Sequence, residues 1–146
     1  MIDRSFIGWV SPPSTVEVEK GRLRFFAQAI GETNPLYTNE AVAQAAGYRS
    51  LPIPPTFLFC LEMENPGTFK LLEILNVSLG RILHGEQSFK YHQPVCAGDS
   101  ITFQSTVSDI YSKKGGALEF IVQDTTARNQ DEVLVGEMRS VIVVRN

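Results

Sequence analysis

The hydrophobic period of this chain changes near its middle, from helical spacing in the first half to alternation in the second. Apolar residues in the first half recur every three or four positions, as at Leu23, Phe26, Ala27 and Ile30. The second half contains five alternating or β-branched runs, at 88–92, 101–104, 118–122, 133–135 and 141–144. Helices followed by strands, with short turn-forming clusters joining neighbouring strands as hairpins or meanders, predict an α+β chain with an antiparallel sheet.

Two helices are predicted before residue 50. The first follows a short extended piece at 16–18 and ends at Gly31, which can adopt the left-handed conformation. Thr38 can cap the second helix, and Gly47 can close it. A polar turn from Gly31 to Tyr37 therefore joins the two helices.

Three prolines within four positions exclude a helix between Leu51 and Pro55, because each removes a backbone donor and favours extended geometry before it. The run from Thr56 to Leu61 that follows is apolar on every face. Such a run predicts a short helix that is buried all round. We expect the antiparallel sheet to wrap around this central apolar helix.

Composition excludes several classes of protein. The 146 residues fit one domain, here 1–146, and Leu, Ile, Val and Phe together exceed the roughly 20% expected of a disordered chain. A net charge of −3 gives no general basic surface, so nucleic acid is not an expected partner. Without an apolar stretch of about 20 residues or a signal-like start, we expect a cytoplasmic protein with no membrane span. Cys60 and Cys96 are isolated in apolar runs and are expected to be packing residues, with no metal site.

Two segments carry a resemblance to a known family. The run Gly31-Glu32-Thr33-Asn34-Pro35-Leu36-Tyr37 resembles the Gly-Asp-x-Asn-Pro-[aliphatic]-His motif of the MaoC-like dehydratases, which include the (R)-specific enoyl-CoA hydratases. The run His84–Val95, followed by Gly98-Asp99, resembles the N-terminal-half or non-catalytic-subunit branch of that family, as does Pro54-Pro55-Thr56-Phe57. The resemblance covers roughly residues 5–145 and implies a single hot-dog fold.

The family's reaction, hydration of an enoyl thioester or its reverse, requires a base, an acid and donors to the developing enolate oxygen. The resemblance implies catalytic roles for Glu32, at the family's Asp position, and Tyr37, at its His position. Glu32 keeps a carboxylate but moves it by one methylene, and Tyr37, with a pKa near ~10, stays protonated at neutral pH. The catalytic pair is therefore degraded in this chain.

The resemblance also implies residues that bind the substrate. Thr56 occupies the position of the family's oxyanion donor, so its amide at the helix start can polarise a thioester carbonyl. Asn34, Pro55 and Phe57 are the other expected substrate contacts, and no cofactor is expected beside the acyl-CoA or acyl-carrier-protein (ACP) substrate.

Ordinary structural roles compete with these assignments. Glu32 and Asn34 can cap a loop, and Tyr37 can be a packing residue with a satisfied hydroxyl. Alternation puts His84 and His92 on one strand face, together with Glu86, Ser88 and Lys90, which is typical of a solvated or interface face. Asp99, after Gly98, is expected to be a turn residue. Lys113 and Lys114 are expected at a solvated hairpin tip, although they could also contact a coenzyme phosphate.

The leading hypothesis is one subunit of a 3-hydroxyacyl-thioester dehydratase or enoyl-CoA hydratase, a hydro-lyase of fatty acid metabolism. A second hot-dog subunit would supply the intact acid–base pair, since a chain of this length has room for one hot dog. One alternative is a self-sufficient homodimeric (R)-specific hydratase that uses Glu32. Others are a non-catalytic acyl-CoA-binding domain and a hot-dog thioesterase, since the fold hosts several functions.

Overall fold

Five strands form one antiparallel sheet in the computed structural model, which describes all residues from Met1 to Asn146. The strands are β1 Ser14–Glu17, β2 Ile82–Tyr91, β3 Ser100–Lys113, β4 Leu118–Arg128 and β5 Leu134–Arg145. Their order across the sheet is β1-β3-β4-β5-β2, so β1 and β2 form its two edges. The predicted α+β class with an antiparallel sheet is confirmed.

The last two predicted strands are a single strand, β5. The residues between the two apolar runs continue the ladder with β4, with Gly136 opposite Ala127 and Ser140 opposite Gln123. Polar side chains interrupt the apolar pattern here because they point away from the core, and Glu137 and Arg139 are not buried. An exposed face thus made one long strand resemble two short ones.

Strand β2 is not the hairpin partner of β3 that the turn at 97–99 predicted. It starts six residues earlier than expected and pairs with β5 at the far edge, where Phe89 lies opposite Met138. A register shift between His84 and Glu86 breaks its ladder at Gly85. This bulge adds one residue, so His84 no longer shares the outward face of Glu86.

Four α-helices precede the long strands. They are α1 Lys20–Ala29, α2 Glu40–Ala45, α3 Phe57–Met63 and α4 Lys70–Ile74. Helix α1 ends as predicted, with Gly31 at a φ of 71°. The cap of α2 is Asn39 and not Thr38: its Oδ1 accepts hydrogen bonds from the backbone N–H groups of Ala41 and Val42. None of the helices is long and apolar enough to span a membrane.

Helix α3 is the central helix and lies against the sheet. Phe57, Leu58 and Leu61 are buried in the core that it shares with α1 and the sheet. The prediction that the run from Thr56 to Leu61 is buried all round is wrong, because Thr56 is exposed and Phe59 and Cys60 are only partly buried. A second cluster packs α4 against β3, β4 and β5. One face of α3 thus remains open between the two clusters.

Candidate functional site

The loop between α1 and α2 uses its polar side chains on its own backbone. Oε1 of Glu32 accepts a hydrogen bond of 2.9 Å from the N–H of Asn34, and Oδ1 of Asn34 accepts one of 3.0 Å from the N–H of Leu36. The second bond caps a 3₁₀ turn at Pro35–Tyr37. Both residues therefore hold the loop in shape, as their capping role predicted.

Tyr37 follows this loop and is partly buried. Burial raises the pKa of Tyr37, and the negative charges of Glu32 and Tyr48 raise it further. Glu32 is therefore close enough to Tyr37 for their charges to interact. A phenol with a raised pKa keeps its proton at neutral pH and acts as a hydrogen-bond donor. The pair offers one carboxylate and one hydroxyl donor.

Tyr37 opens onto a shallow cavity of about 320 Å³, the Tyr37 cavity. Ten residues line it: Tyr37, Tyr48, Pro52, Ile53, Pro55, Tyr91, His92, Gln93, Pro94 and Val95. The structure thus brings together Tyr37 and Pro55, two of the residues predicted from sequence. Glu32 and Asn34 do not line this cavity.

The start of α3 lies beside the Tyr37 cavity. Thr56 is exposed, and its N–H has no hydrogen-bond partner in the chain. The carbonyl of Pro55 is occupied, because the hydroxyl of Tyr91 donates to it at 3.0 Å. Burial raises the pKa of Tyr91 to about 12, so this donor keeps its proton. This carbonyl and the N–H of Thr56 belong to one trans peptide group and point in opposite directions, so the bond from Tyr91 also fixes the direction of the free amide donor.

Phe57 lies in the hydrophobic core and not at the substrate-contacting position that was expected for it. It is 2% exposed and packs edge-to-face against Phe26, with ring centroids 5.0 Å apart. It does not line the Tyr37 cavity. A position right after Thr56 on a helix points into the core because the helix turns by about 100° per residue.

A histidine–carboxylate pair borders the Tyr37 cavity. Nε2 of His92 lies 2.7 Å from Oε2 of Glu137, at the end of β2 and on the adjacent β5. The sequence predicts a solvated or interface face for His92 and gives no indication of Glu137. Only the pairing of β2 with β5 brings these distant residues together, so no local spacing could have indicated the pair.

A second, narrower cavity of about 160 Å³ lies at the other end of α3, and we call it the Glu62 cavity. Its walls come from α3, α4, the segment between them, the sheet and the N-terminal segment at Trp9 and Ser11. Ten of its nineteen residues are hydrophobic. Glu62 is its one acidic residue. Oε1 of Glu62 accepts hydrogen bonds from the hydroxyls of Thr125, at 2.9 Å, and Ser105, at 3.3 Å.

Burial raises the pKa of Glu62 despite those two bonds, which favour its ionised form. At the rim of the cavity, the ring of His84 stacks on Phe59 with centroids 4.9 Å apart. His84 reaches this face because of the bulge at Gly85, contrary to the outward face predicted for it. A sequence signal for this site was the acidic residue Glu62 directly after the apolar run from Thr56 to Leu61.

Asp99 and the lysine turn have structural contacts. Asp99 is 1% exposed, where it accepts hydrogen bonds from the side chains of Arg49 and Gln130 and from the N–H of Cys96. It therefore has a buried structural role in addition to the turn role that the sequence predicted. Nζ of Lys113 lies 5.1 Å from the ring centroid of Phe120 and 5.5 Å from that of Tyr111.

Comparisons with known proteins relate the chain to dehydratases. A model of the family "FAS1-like, dehydratase domain region" matches residues 5–138. A UPF0336 protein of Streptomyces avermitilis is 39% identical over 115 residues, which cover 78% of this chain and 77% of that protein. A UPF0336 protein of Thermobifida fusca is 38% identical over 118 residues, covering 80% of this chain and 78% of that one.

Solved structures with the same fold include two dehydratase or hydratase proteins. One is from the HadBC (3R-hydroxyacyl-ACP dehydratase) complex of Mycobacterium tuberculosis, with a TM-score of 0.83, 24% identity and coverage of 94% of this chain and 96% of that one. The other is the (R)-hydratase of A. caviae involved in PHA biosynthesis, with a TM-score of 0.72, 18% identity and coverage of 93% and 94%. At these identities the likeness establishes the fold, the hot dog.

Proposed function

The chain belongs to the FAS1-like dehydratase domain region family, and from that premise we propose that it is one hot-dog subunit of an acyl-thioester hydratase or dehydratase. Its substrate would be a 3-hydroxyacyl or trans-2-enoyl thioester of CoA or ACP. The partner would be a second hot-dog chain that carries an aspartate–histidine pair.

The observation that carries the proposal is the state of Glu32 and Tyr37. Glu32 already holds the N–H of Asn34, and the raised pKa of Tyr37 keeps its phenol protonated. Hydration needs a group that takes a proton from water and a group that protonates the α-carbon. A carboxylate already engaged in a hydrogen bond and a phenol with a raised pKa are poorly suited to these two proton transfers. We therefore assign the proton transfers to the partner subunit.

The contribution of this chain to the site would be binding and positioning. The free N–H of Thr56 would donate to the thioester carbonyl as its oxygen gains negative charge. Pro55, whose carbonyl is fixed by Tyr91, and Asn34 would border the thioester. Hydration and dehydration share this arrangement because they are the same reaction run in opposite directions.

The outer edge of β2 suggests where the second subunit binds. This strand pairs with β5 on one side and with no strand on the other, so it presents unpaired backbone donors and acceptors. Gly85, Glu86, Ser88 and Lys90 are exposed along it. Pairing of two such edges would extend the sheet across a dimer, with either a second copy or a different hot-dog chain.

The test follows hydration of a trans-2-enoyl-CoA through the loss of its conjugated absorbance. We expect little turnover from the purified chain alone and restored turnover when a hot-dog protein with an intact Gly-Asp-x-Asn-Pro-x-His motif is added. Sedimentation of the mixture should show a complex at the same stoichiometry that gives full activity.

Three results would overturn the proposal. Robust turnover by the chain alone that is lost in Glu32→Gln would establish the self-sufficient homodimer instead. Release of free thiol from an acyl-CoA without loss of a double bond would identify a thioesterase. If neither hydratase nor thioesterase activity appeared with any partner offered, and the chain had no affinity for acyl-CoA, an acyl thioester would be excluded as its ligand.

A further inference from the structure

The Glu62 cavity is lined mainly by apolar side chains. Five of its large hydrophobic residues come from four different parts of the chain: Trp9, Leu71, Leu72, Phe103 and Ile142. In another protein an apolar cavity of roughly 150 Å³ holds one benzene molecule. The Glu62 cavity, at about 160 Å³, therefore has room for an aliphatic segment of about six to eight carbon atoms.

The carboxyl group of Glu62 is held in one orientation on the cavity wall. Both protein hydrogen bonds to it, from Thr125 and Ser105, go to Oε1, and the two donor hydroxyls also contact each other at 2.8 Å. Oε2 has no hydrogen-bond partner in the protein, and it is not among the fully buried atoms. One carboxyl oxygen is thus fixed by the sheet, and the other is free towards the cavity.

A partly buried carboxyl without a second partner is an unfavourable choice for stability alone. A polar group in an apolar setting is destabilising unless its hydrogen bonds are made, and leucine would fill the same wall without that penalty. A ligand that donates to the accessible Oε2 while its chain fills the apolar walls would make Glu62 favourable in the complex.

A hydroxyl group satisfies Oε2 in either protonation state of Glu62. It donates to an ionised carboxylate and can accept from a protonated carboxyl. An ammonium group would need three acceptors, more than one free oxygen supplies, and a ketone would bind only the protonated form. The apolar walls therefore favour an aliphatic chain, and Oε2 of Glu62 favours a hydroxyl group on that chain.

We propose that the Glu62 cavity binds an aliphatic segment of about six to eight carbons that carries a hydroxyl group, held by Oε2 of Glu62. This deepens the proposed function and rests on it in identifying the segment as part of a hydroxylated acyl chain. Glu62 follows Thr56 by six residues, about 9 Å along a helix. A thioester carbonyl at Thr56 would keep its α- and β-carbons far from Glu62, so the hydroxyl recognised here belongs to the distal part of the chain.

The test uses 1-hexanol and methyl pentyl ether, two isomers of which only the alcohol can donate a hydrogen bond. Each is titrated in mildly alkaline buffer against the full chain, and binding is followed by the NMR shifts of the methyl groups of Leu71, Leu72 and Ile142. A hydrogen bond to a charged group favours the alcohol by about tenfold or more in affinity. We expect that preference in the native chain and its loss in Glu62→Leu.

Glu64→Gln is the matched control, because Glu64 lies on the same end of α3, pairs with Arg22 and does not line the cavity. It should keep the preference for the alcohol. Equal affinity of the native chain for the two isomers, binding of neither, or shifts confined to other residues would each overturn the proposal.

The comparison of isomers needs no variant, so misfolding of Glu62→Leu would not remove the test. Because neither probe is a thioester and no second subunit is present, the result is independent of hydratase activity. A failure here would leave the proposed function standing, and a failure of the hydratase assay would leave hydroxyl recognition standing.

Discussion

Leu58 of α3 packs against Gly136 of β5 so closely that a Cβ at Gly136 would lie 2.9 Å from Cδ2 of Leu58. The glycine is not required for an unusual backbone angle, because its φ is not positive. A side chain at this point of the sheet would force Leu58, which is fully buried in the core, to move.

Gly136→Ala should therefore destabilise the fold by about 1–3 kcal/mol, the usual effect of an extra methyl group in a packed core. The measurement is the free energy of unfolding from urea titration. Gly21→Ala in α1 is the control, since a Cβ there meets nothing within 4 Å and alanine favours a helix. Equal loss in both variants would contradict the steric explanation.

The sequence predicted the helix–sheet division and the central helix because these depend on local periodicity. It missed the position of β2 at the edge, because strand order depends on which distant segments pair. It also split β5, where outward-facing polar residues such as Glu137 interrupt the apolar run. It placed the cap of α2 at Thr38, one residue before the observed cap Asn39, because both residue types cap helices and only the backbone geometry separates adjacent positions.

The raised pKa of Glu62 predicts that the free energy of unfolding depends on pH. A carboxyl whose pKa is higher in the folded state than its unfolded value of 4.5 stabilises the fold at low pH. That contribution is lost as the pH rises through the folded pKa, with a slope of at most about 1.4 kcal/mol per pH unit. Relative to Glu62→Gln, the native chain should lose stability as the pH rises above 4.5.

Urea midpoints measured across this pH range check the prediction. Glu73→Gln provides the control, because the side chain of Glu73 is 67% exposed and should leave the profile of the native chain unchanged. A profile for Glu62→Gln that runs parallel to the native one would show that Glu62 does not titrate differently on folding.

Residues of the candidate site were likewise predictable where they depend on local sequence and not where they depend on contacts between distant segments. Tyr37 and Pro55 were predicted from motif positions, and both line one cavity. The contact between His92 and Glu137 depends on the register of two strands far apart in sequence, so it was not predictable from spacing. Phe57 was expected to contact substrate because its segment resembles the family, but one step along a helix from Thr56 turns a side chain to another face.

Asp99→Ala should destabilise the fold by about 2–4 kcal/mol, since it removes the buried acceptor of a backbone N–H and of two side chains. The N–H of Cys96 would then be buried without a partner, whereas Arg49, whose side chain is 63% exposed, would return to water. The free energy of unfolding measures this loss. Asp109→Ala, at an exposed position, should change it by less than about 0.5 kcal/mol.

Gly85→Ala should disturb both β2 and the rim of the Glu62 cavity. A Cβ at Gly85 would lie 2.7 Å from Cγ2 of Val143 and 3.1 Å from the carbonyl oxygen of Val141, and a backbone oxygen within a strand cannot move away freely. The bulge would have to open, and His84 would lose its stacking on Phe59 because the bulge turns it to that face.

The expected result is a destabilisation of about 1–3 kcal/mol together with a downfield shift of the His84 ring protons in NMR spectra, as they leave the face of Phe59. Gly80→Ala is the matched control, because a Cβ there would meet only Oγ of Ser78, at 3.8 Å. If the His84 shifts stayed at their native values while β2 was destabilised, the bulge would not be what turns His84 towards the cavity. If both measurements stayed native, the sheet would tolerate a side chain at Gly85 and the close contacts with β5 would not constrain this position.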